Sequence, residues 1–195
     1  MKTVLISIQP KWCELIASGK KTVEVRKTRP KIDVPFKCYI YCTNSKDMLW
    51  ILKKKERFSE KIASIFTAKD VGGATKANGK VIGEFVCDDI DAVMVYNNLL
   101  YCEKNSQPNK LKQMCLSLEE VRTYLGEGKC GFNWHISDLV IYDKPKELSE
   151  FWQKGGVFNS KKDNIDDLKV IGTKVYKPIT RPPQSWCYVE KEGAE

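Results

Sequence analysis

Gly19-Lys20-Lys21-Thr22-Val23-Glu24-Val25-Arg26 joins the end of one element to the body of another. Val23 and Val25 alternate with Thr22, Glu24 and Arg26, the period-two pattern of a strand with one apolar and one polar face. Gly19 stands where a helix must stop, because a residue without a Cβ enters the left-handed region that closes a last turn at little cost. The polar face then carries a carboxylate and a guanidinium two residues apart, with Lys21 at the strand entrance. An arginine in such a place offers a planar fork of donors to a phosphate or a base edge, and Lys21 adds a mobile cation. The same spacing also fits an ordinary exposed strand face, on which a Glu–Arg pair contributes little to folding.

Upstream, residues 2–8 predict a strand in which Val4, Ile6 and Ile8 alternate with Thr3 and Ser7. Pro10 suits the first turn of a helix, where its missing N–H is not needed, and Trp12, Leu15 and Ile16 supply the apolar stripe. Downstream, 36–42 predicts a third strand, 45–66 a mostly helical insertion, and 72–79 a flexible glycine-rich loop. Further strands are expected over 80–86, 92–96, 136–142 and 186–189. Ser117-Leu118-Glu119-Glu120 is a capping box that opens a helix ending near Gly126. A short helix is expected over 145–152 and a polar surface loop over 153–170. Short strands, irregular loops and few helices together predict an α+β fold, a small mixed β-barrel decorated by helical and loop insertions.

The chain has 195 residues, 42% of them hydrophobic and 30% charged, enough to bury a core without a metal or disulfide staple. No apolar run approaches the ~18 residues of a membrane span. The first strand runs directly into Gln9-Pro10-Lys11, which does not resemble a signal peptide. The eight cysteines are scattered with no C-x-x-C pair, as expected of buried thiols in a reducing cytoplasm, and no metal site or cofactor is expected. Thirty-three Lys and Arg against 25 Asp and Glu give a formal charge of +8 and favour anionic partners. The excess is concentrated between 20 and 37 and between 169 and 181, interleaved with aromatic and turn residues, as in a nucleic-acid footprint; a solvated basic surface is the alternative.

The spacing G-x-K-x-x-E-x-R, met by Gly19, Lys21, Glu24 and Arg26, resembles the signature of the ASCH domain (activating signal cointegrator homology), a family of the PUA-like superfamily of small β-barrels. The approach Ile6-Ser7-Ile8-Gln9-Pro10-Lys11-Trp12 and the strand Lys80-Val81-Ile82-Gly83-Glu84-Phe85 are also similar to the family. Trp134-His135-Ile136-Ser137 and Arg181-Pro182-Pro183-Gln184-Ser185-Trp186 resemble its larger, phage-associated type. The resemblance implies one domain over 1–190, with insertions at about 45–79 and 97–130 and a short tail at 191–195. It also implies a cleft, lined by the signature residues, that binds RNA or a modified nucleoside. One ASCH relative hydrolyses N4-acetylcytidine with a Lys, a Thr and a Glu. Its Lys falls on Lys21, but its Thr falls on Glu24, and the nearest hydroxyl on the strand face is Thr22.

Recognition of RNA or a modified nucleotide is therefore the expected function. The alternatives are a hydrolase of N4-acylated cytidine or RNA, with Lys21, Glu24 and Thr22 as catalytic groups, and an adaptor using the 45–66 insertion. Candidate ligand-binding residues are Lys11, Lys21, Glu24, Arg26, Tyr41, His135, Gln184, Ser185 and Trp186. Tyr39 and Tyr41 share a strand face and could stack a base; His135, the one histidine, has the pKa range of an acid–base group; Pro182 and Pro183 would present Gln184 and Ser185. Read as an exposed pair, Glu24 and Arg26 should tolerate alanine without loss of stability, whereas Val23→Ala and Val25→Ala should destabilise.

Overall fold

The computed structural model describes residues 3–52, 63–64, 74–104, 107–155, 168–171 and 174–191. In chain order the elements are β1 (Thr3–Ile8), α1 (Pro10–Ala17), β2 (Val23–Arg26), β3 (Phe36–Cys42), β4 (Trp50–Leu52), β5 (Ala63–Ser64) and β6 (Ala74–Lys76). They continue with β7 (Lys80–Cys87), β8 (Ile90–Tyr96), β9 (Leu99–Cys102), α2 (Gln107–Met114), α3 (Leu118–Leu125), β10 (Cys130–His135) and β11 (Ser137–Lys146). A 3-10 turn (Leu148–Glu150) then leads to β12 (Phe151–Lys154), β13 (Lys169–Ile171), β14 (Lys174–Pro178) and β15 (Trp186–Lys191).

Eight strands form the main sheet in the order β11-β7-β3-β1-β15-β12-β14-β13, four form a second in the order β2-β10-β8-β9, and β5-β4-β6 form a small third. The β1–β3 pair is parallel, with α1 and β2 in the connection between its strands. No ladder among the described residues closes a sheet on itself, so the pairing shows a mixed α+β fold of mostly strands with three helices. At the far end of the chain, β15 pairs antiparallel with β1, placing Val189 opposite Thr3.

The two large sheets share one apolar cluster. Val4, Ile6 and Ile8 of β1 meet Phe36, Cys38 and Ile40 of β3, Cys13 and Ile16 of α1, and Trp134 of β10. The Trp134 ring is fully buried, edge-on to Phe36 at 5.8 Å and tilted against Trp186 at 6.0 Å. Behind the four-stranded sheet, Val23, Val25, Val93 and Val95 pack on Met114 of α2 and on Val121 and Leu125 of α3. A third cluster, on the main sheet, joins Leu5, Tyr39, Tyr41, Val81, Phe151, Ile179 and Val189.

Local chemistry sets the helix ends as the sequence predicts. Pro10 opens α1, and Gly19 follows it with a φ of 72°. In α3 the Ser117 hydroxyl accepts from the Glu120 backbone N–H at 3.2 Å, while the Glu120 carboxylate accepts from the Ser117 N–H at 2.7 Å. Ending α3, Gly126 has a φ of 96°.

Four expected elements differ. Within 45–66, expected to be helical, the described residues hold the short strands β4 and β5, with Ile51 of β4 and the preceding Leu49 buried on alternate positions; 53–62 and 65–66 lie outside the described residues. Of the expected loop 72–79, Ala74–Lys76 is a strand paired with β4, and Gly72 and Gly73 lie outside the described residues. The expected helix at 145–152 is the end of β11, a 3-10 turn and β12, since Phe151 is drawn into the third cluster and the chain pairs with β14 and β15. The expected polar loop 153–170 begins and ends in strands, with 156–167 outside the described residues. Lys191, assigned to the tail, still pairs with Phe151. The span 97–130 supplies β9, α2 and α3, and both helices contribute to the core behind β2.

Gly83 of β7 lies where β11 crosses closely. A Cβ there would sit 2.4 Å from the Val140 carbonyl oxygen and 3.1 Å from Ile141 Cδ1, beside a register irregularity in the β7–β11 ladder. Backbone cannot yield as a side-chain tip can. Gly83→Ala is expected to destabilise the protein by about 1–3 kcal/mol, the range for overpacking, measured by urea denaturation; an unchanged midpoint would show that β11 shifts freely.

Candidate functional site

Backbone bonds fix the Gly19–Arg26 segment on both sides of Lys20. The Lys21 N–H donates to the Leu15 carbonyl, Thr22 N–H to Gln113, and Ile136 N–H to the Thr22 carbonyl. In the β2–β10 ladder Glu24 lies opposite Trp134 and Arg26 opposite Phe132. Directly opposed residues of an antiparallel pair project from the same sheet face. The polar face of β2 therefore looks into the space between the two large sheets, and Val23 and Val25 face the helices.

That placement reverses the expectation of an exposed pair. Lys21 is 2% exposed, and Glu24 and Arg26 are each 7% exposed. The Glu24 carboxylate is held on one oxygen by Lys21 Nζ at 3.3 Å and on the other by Arg26 Nη2 at 3.0 Å. Lys21 Nζ also donates to the Met114 carbonyl at 2.6 Å, at the end of α2, and Arg26 Nη2 donates to the Ser7 carbonyl of β1 at 2.7 Å. Among the described residues the Arg26 Nε–H, which is buried, has no hydrogen-bond partner. Two cations and one carboxylate leave one positive charge in excess.

Above this cluster lies a cavity of about 960 Å³. Its floor is Lys21, Glu24 and Arg26; Ser7, Gln9 and Trp12 form one wall, Glu119, Glu120 and Tyr124 of α3 another, and Pro182–Ser185 a third. The Trp12 ring carries Lys11 Nζ at 4.4 Å and Lys21 Nζ at 5.2 Å from its centroid. The rim carboxylates are committed: Glu119 pairs with Arg122, and Glu120 caps α3. Accepting the Ser117 backbone N–H holds the Glu120 carboxyl below its ordinary value, with help from the charges of Lys11 and Lys21. Burial pushes the Tyr124 hydroxyl up, although Arg26 opposes this.

Of the expected site residues, the fold brings Lys21, Glu24, Arg26, Gln184 and Ser185 into one cavity, with Lys11 beside it against Trp12. Four others lie elsewhere. Tyr41 is 3% exposed and belongs to the third core cluster with Tyr39, because β3 is an interior strand covered at that position by Phe151 and Ile179. His135 is paired with Asp88 at 2.6 Å, outside the cavity. Burial raises the Asp88 carboxyl, but the bond and charge of His135 outweigh it and hold the group below its usual range. Trp186 packs against Trp134 and donates its indole N–H to the Thr28 hydroxyl at 3.0 Å. Thr22 does not line the cavity. Ser7, Trp12 and Tyr124 also line the cavity without having stood among the expected site residues; the signal for Trp12 was its place next to Lys11 in the first helix. Among the described residues no three His, Cys, Asp or Glu side chains come together as a metal set. Of the cysteines, Cys13, Cys38, Cys42 and Cys87 are buried, and desolvation pushes the Cys87 thiol up to about 12.

A family model described as the ASCH domain matches residues 6–129, which hold the end of β1, the signature segment and the three helices found among the described residues. The chain belongs to the ASCH domain family. This family has the PUA-like fold and is associated with RNA binding. A crystal structure of ASCH from Zymomonas mobilis is similar at 20% identity over 75% of this chain and 74% of that chain, with a TM-score of 0.45. A serine-to-alanine mutant of the Zymomonas protein is similar at 18% identity over 97% of this chain and 89% of that chain, with a TM-score of 0.50, a likeness of fold. No curated protein matches the chain. The Pro182–Ser185 wall of the cavity comes from beyond the matched segment. No helix among the described residues is long and apolar enough to cross a membrane.

Two expectations follow from the cluster and its rim. Glu24→Ala leaves two buried cations without their shared anion and should cost about 3 kcal/mol, read by urea denaturation at pH 7. A loss near zero would mean that cavity water already screens the charges. Because the Glu120 carboxyl is depressed, its contribution is present above the ordinary value of 4.5 and is lost as pH falls through its lower folded value. Glu120→Gln should therefore be less stable than the parent at pH 7, and the gap should close below that range; a gap constant with pH would exclude the carboxylate as its source.

Proposed function

We propose that the ASCH cleft recognises one base of an RNA, or a modified nucleotide, and that it binds rather than hydrolyses. The observation that carries this reading is the buried Lys21–Glu24–Arg26 cluster, with its excess positive charge and unpartnered Arg26 Nε–H, on the floor of a cavity of about 960 Å³. Cavities of this size suit a small organic ligand held by a few convergent polar groups. Arg26 and Lys21 meet a phosphate or an exocyclic oxygen, and the Glu24 carboxylate accepts from a base amino group. Gln184 and Ser185 supply an amide and a hydroxyl from the facing wall. The two large sheets are read as the halves of a PUA-like barrel in a single domain, joined by the apolar cluster they share around Trp134 and by the Arg26 bond to the Ser7 carbonyl.

Binding is favoured over hydrolysis for two reasons. Acyl cleavage needs a nucleophile, a proton acceptor and a donor for the developing oxyanion. The Thr22 hydroxyl is outside the cavity, and both oxygens of Glu24 are already engaged, one by Lys21 and the other by Arg26. The test titrates the protein with cytidine and with N4-acetylcytidine by calorimetry and follows the same mixtures chromatographically for cytidine release. Saturable binding is expected, weakened about tenfold by Arg26→Lys, which keeps the charge and loses the planar fork. Turnover abolished by Lys21→Met would make the protein a hydrolase, and absence of binding to either nucleoside would overturn the cleft reading.

A further inference from the structure

Lys27 borders two concavities. It lies on the wall of the cleft and also opens a second groove, of about 460 Å³, formed by the loop that follows β2. Along this groove stand Lys27, Arg29 and Lys31, with Asp33 as its acidic residue and Phe132 of β10 beside them. Three cations against one carboxylate leave two positive charges in excess. Lys27, Arg29 and Lys31 are all exposed, and among the described residues none has an ion-pair partner. Lys27 Nζ lies 5.2 Å from the Tyr124 ring of the cleft wall.

The loop is built to hold its shape. Pro30 is buried, the Trp186 indole N–H donates to the Thr28 hydroxyl, and the Lys31 backbone N–H donates to the Tyr188 hydroxyl at 2.7 Å. These bonds, from the last strand of the main sheet, fix the backbone while leaving the three cationic heads in water. An interior ion-pair network would consume such charges. Here they remain available on a fixed track that starts where the cleft ends. Phe132, half-buried and opposite Arg26 in the β2–β10 ladder, adds an aromatic surface of the kind on which a base stacks.

We infer that this groove carries the sugar–phosphate backbone of the nucleotides next to the base held in the cleft, so that the ligand is a single-stranded RNA and not a free nucleoside. The inference rests on the cleft reading given above. A base that enters a walled cavity must leave its stack and its pairing partner, which costs least in a strand that is already single. The flanking phosphates must then run out over whichever edge of the cavity is cationic, and the Lys27 edge opens onto the Arg29 and Lys31 groove.

The test compares cytidine 5′-monophosphate, by calorimetry, with a fluorescently labelled RNA octanucleotide, by anisotropy, across a salt series. The proteins are the parent, Arg29→Ala/Lys31→Ala and Arg26→Lys, each checked for folding by thermal unfolding. The octanucleotide should bind at least tenfold more tightly than the mononucleotide. Removing Arg29 and Lys31 should weaken it roughly fivefold per position at 0.1 M salt and flatten the slope of log K against log[salt] by about 0.7 per position, with the mononucleotide unchanged. Unchanged octanucleotide binding and slope in the double variant would overturn the groove while leaving the cleft. Octanucleotide binding that needs Arg29 and Lys31 but ignores Arg26→Lys would support the groove and overturn the cleft. A duplex of the same sequence that binds as tightly as the single strand would overturn the single-stranded ligand.

Discussion

The buried carboxylate of Glu24 sets the terms for everything around it. Removing two cations and an anion from water costs several kcal/mol per ion, and their mutual attraction offsets this only where remaining donors and acceptors are also satisfied. The fold answers with backbone. The Met114 carbonyl at the end of α2 accepts a hydrogen bond from Lys21, and the Ser7 carbonyl of β1 accepts one from Arg26. One strand of four residues is thereby tied to a helix on one side and to the main sheet on the other. The position of α2 and the junction of the two sheets are thus conditions for solvating the cluster, and among the described residues only the Arg26 Nε–H of these contacts is left without a partner.

A division of labour runs through β2. Its valines are held in an apolar cluster with Met114, Val121 and Leu125, which keeps the strand in place through burial alone. Its charged residues face the core around Trp134, at the margin where that core opens into the cleft. An edge strand buried on both faces cannot shift by one residue without exchanging valines for charges. The register that places Glu24 opposite Trp134 is therefore protected by the same alternation that creates the site.

The alternation of Val23 and Val25 against Glu24 and Arg26, the capping box at Ser117, the glycine after α1 and the strands at 3–8, 36–42 and 80–87 were all legible, because each depends on residues close in sequence. The short elements were not. Phe151 belongs to a strand and not to a helix because a cluster built by Leu5, Tyr39 and Val189 receives it, and nothing within 145–152 announces that cluster. The same holds for β4, where burial of Leu49 and Ile51 outweighs local helix preference. His135, Tyr41 and Trp186 carried plausible chemistry in the sequence, and packing assigned them to an Asp88 pair, a core and a loop anchor.

By itself the sequence determined the family signature, the face on which Glu24 and Arg26 lie and the presence of Lys21 at their approach, since period-two alternation and a glycine-closed helix are local properties. It could not determine whether that face meets water or protein. Exposure is a property of what the rest of the chain places opposite, and here Ser7, α3 and the Pro182–Ser185 segment come from widely separated positions. Only the tertiary structure turned a strand-face pair into a buried, partly unsatisfied ion cluster. The reason is that desolvation, unlike alternation, depends on every element that excludes water from the site.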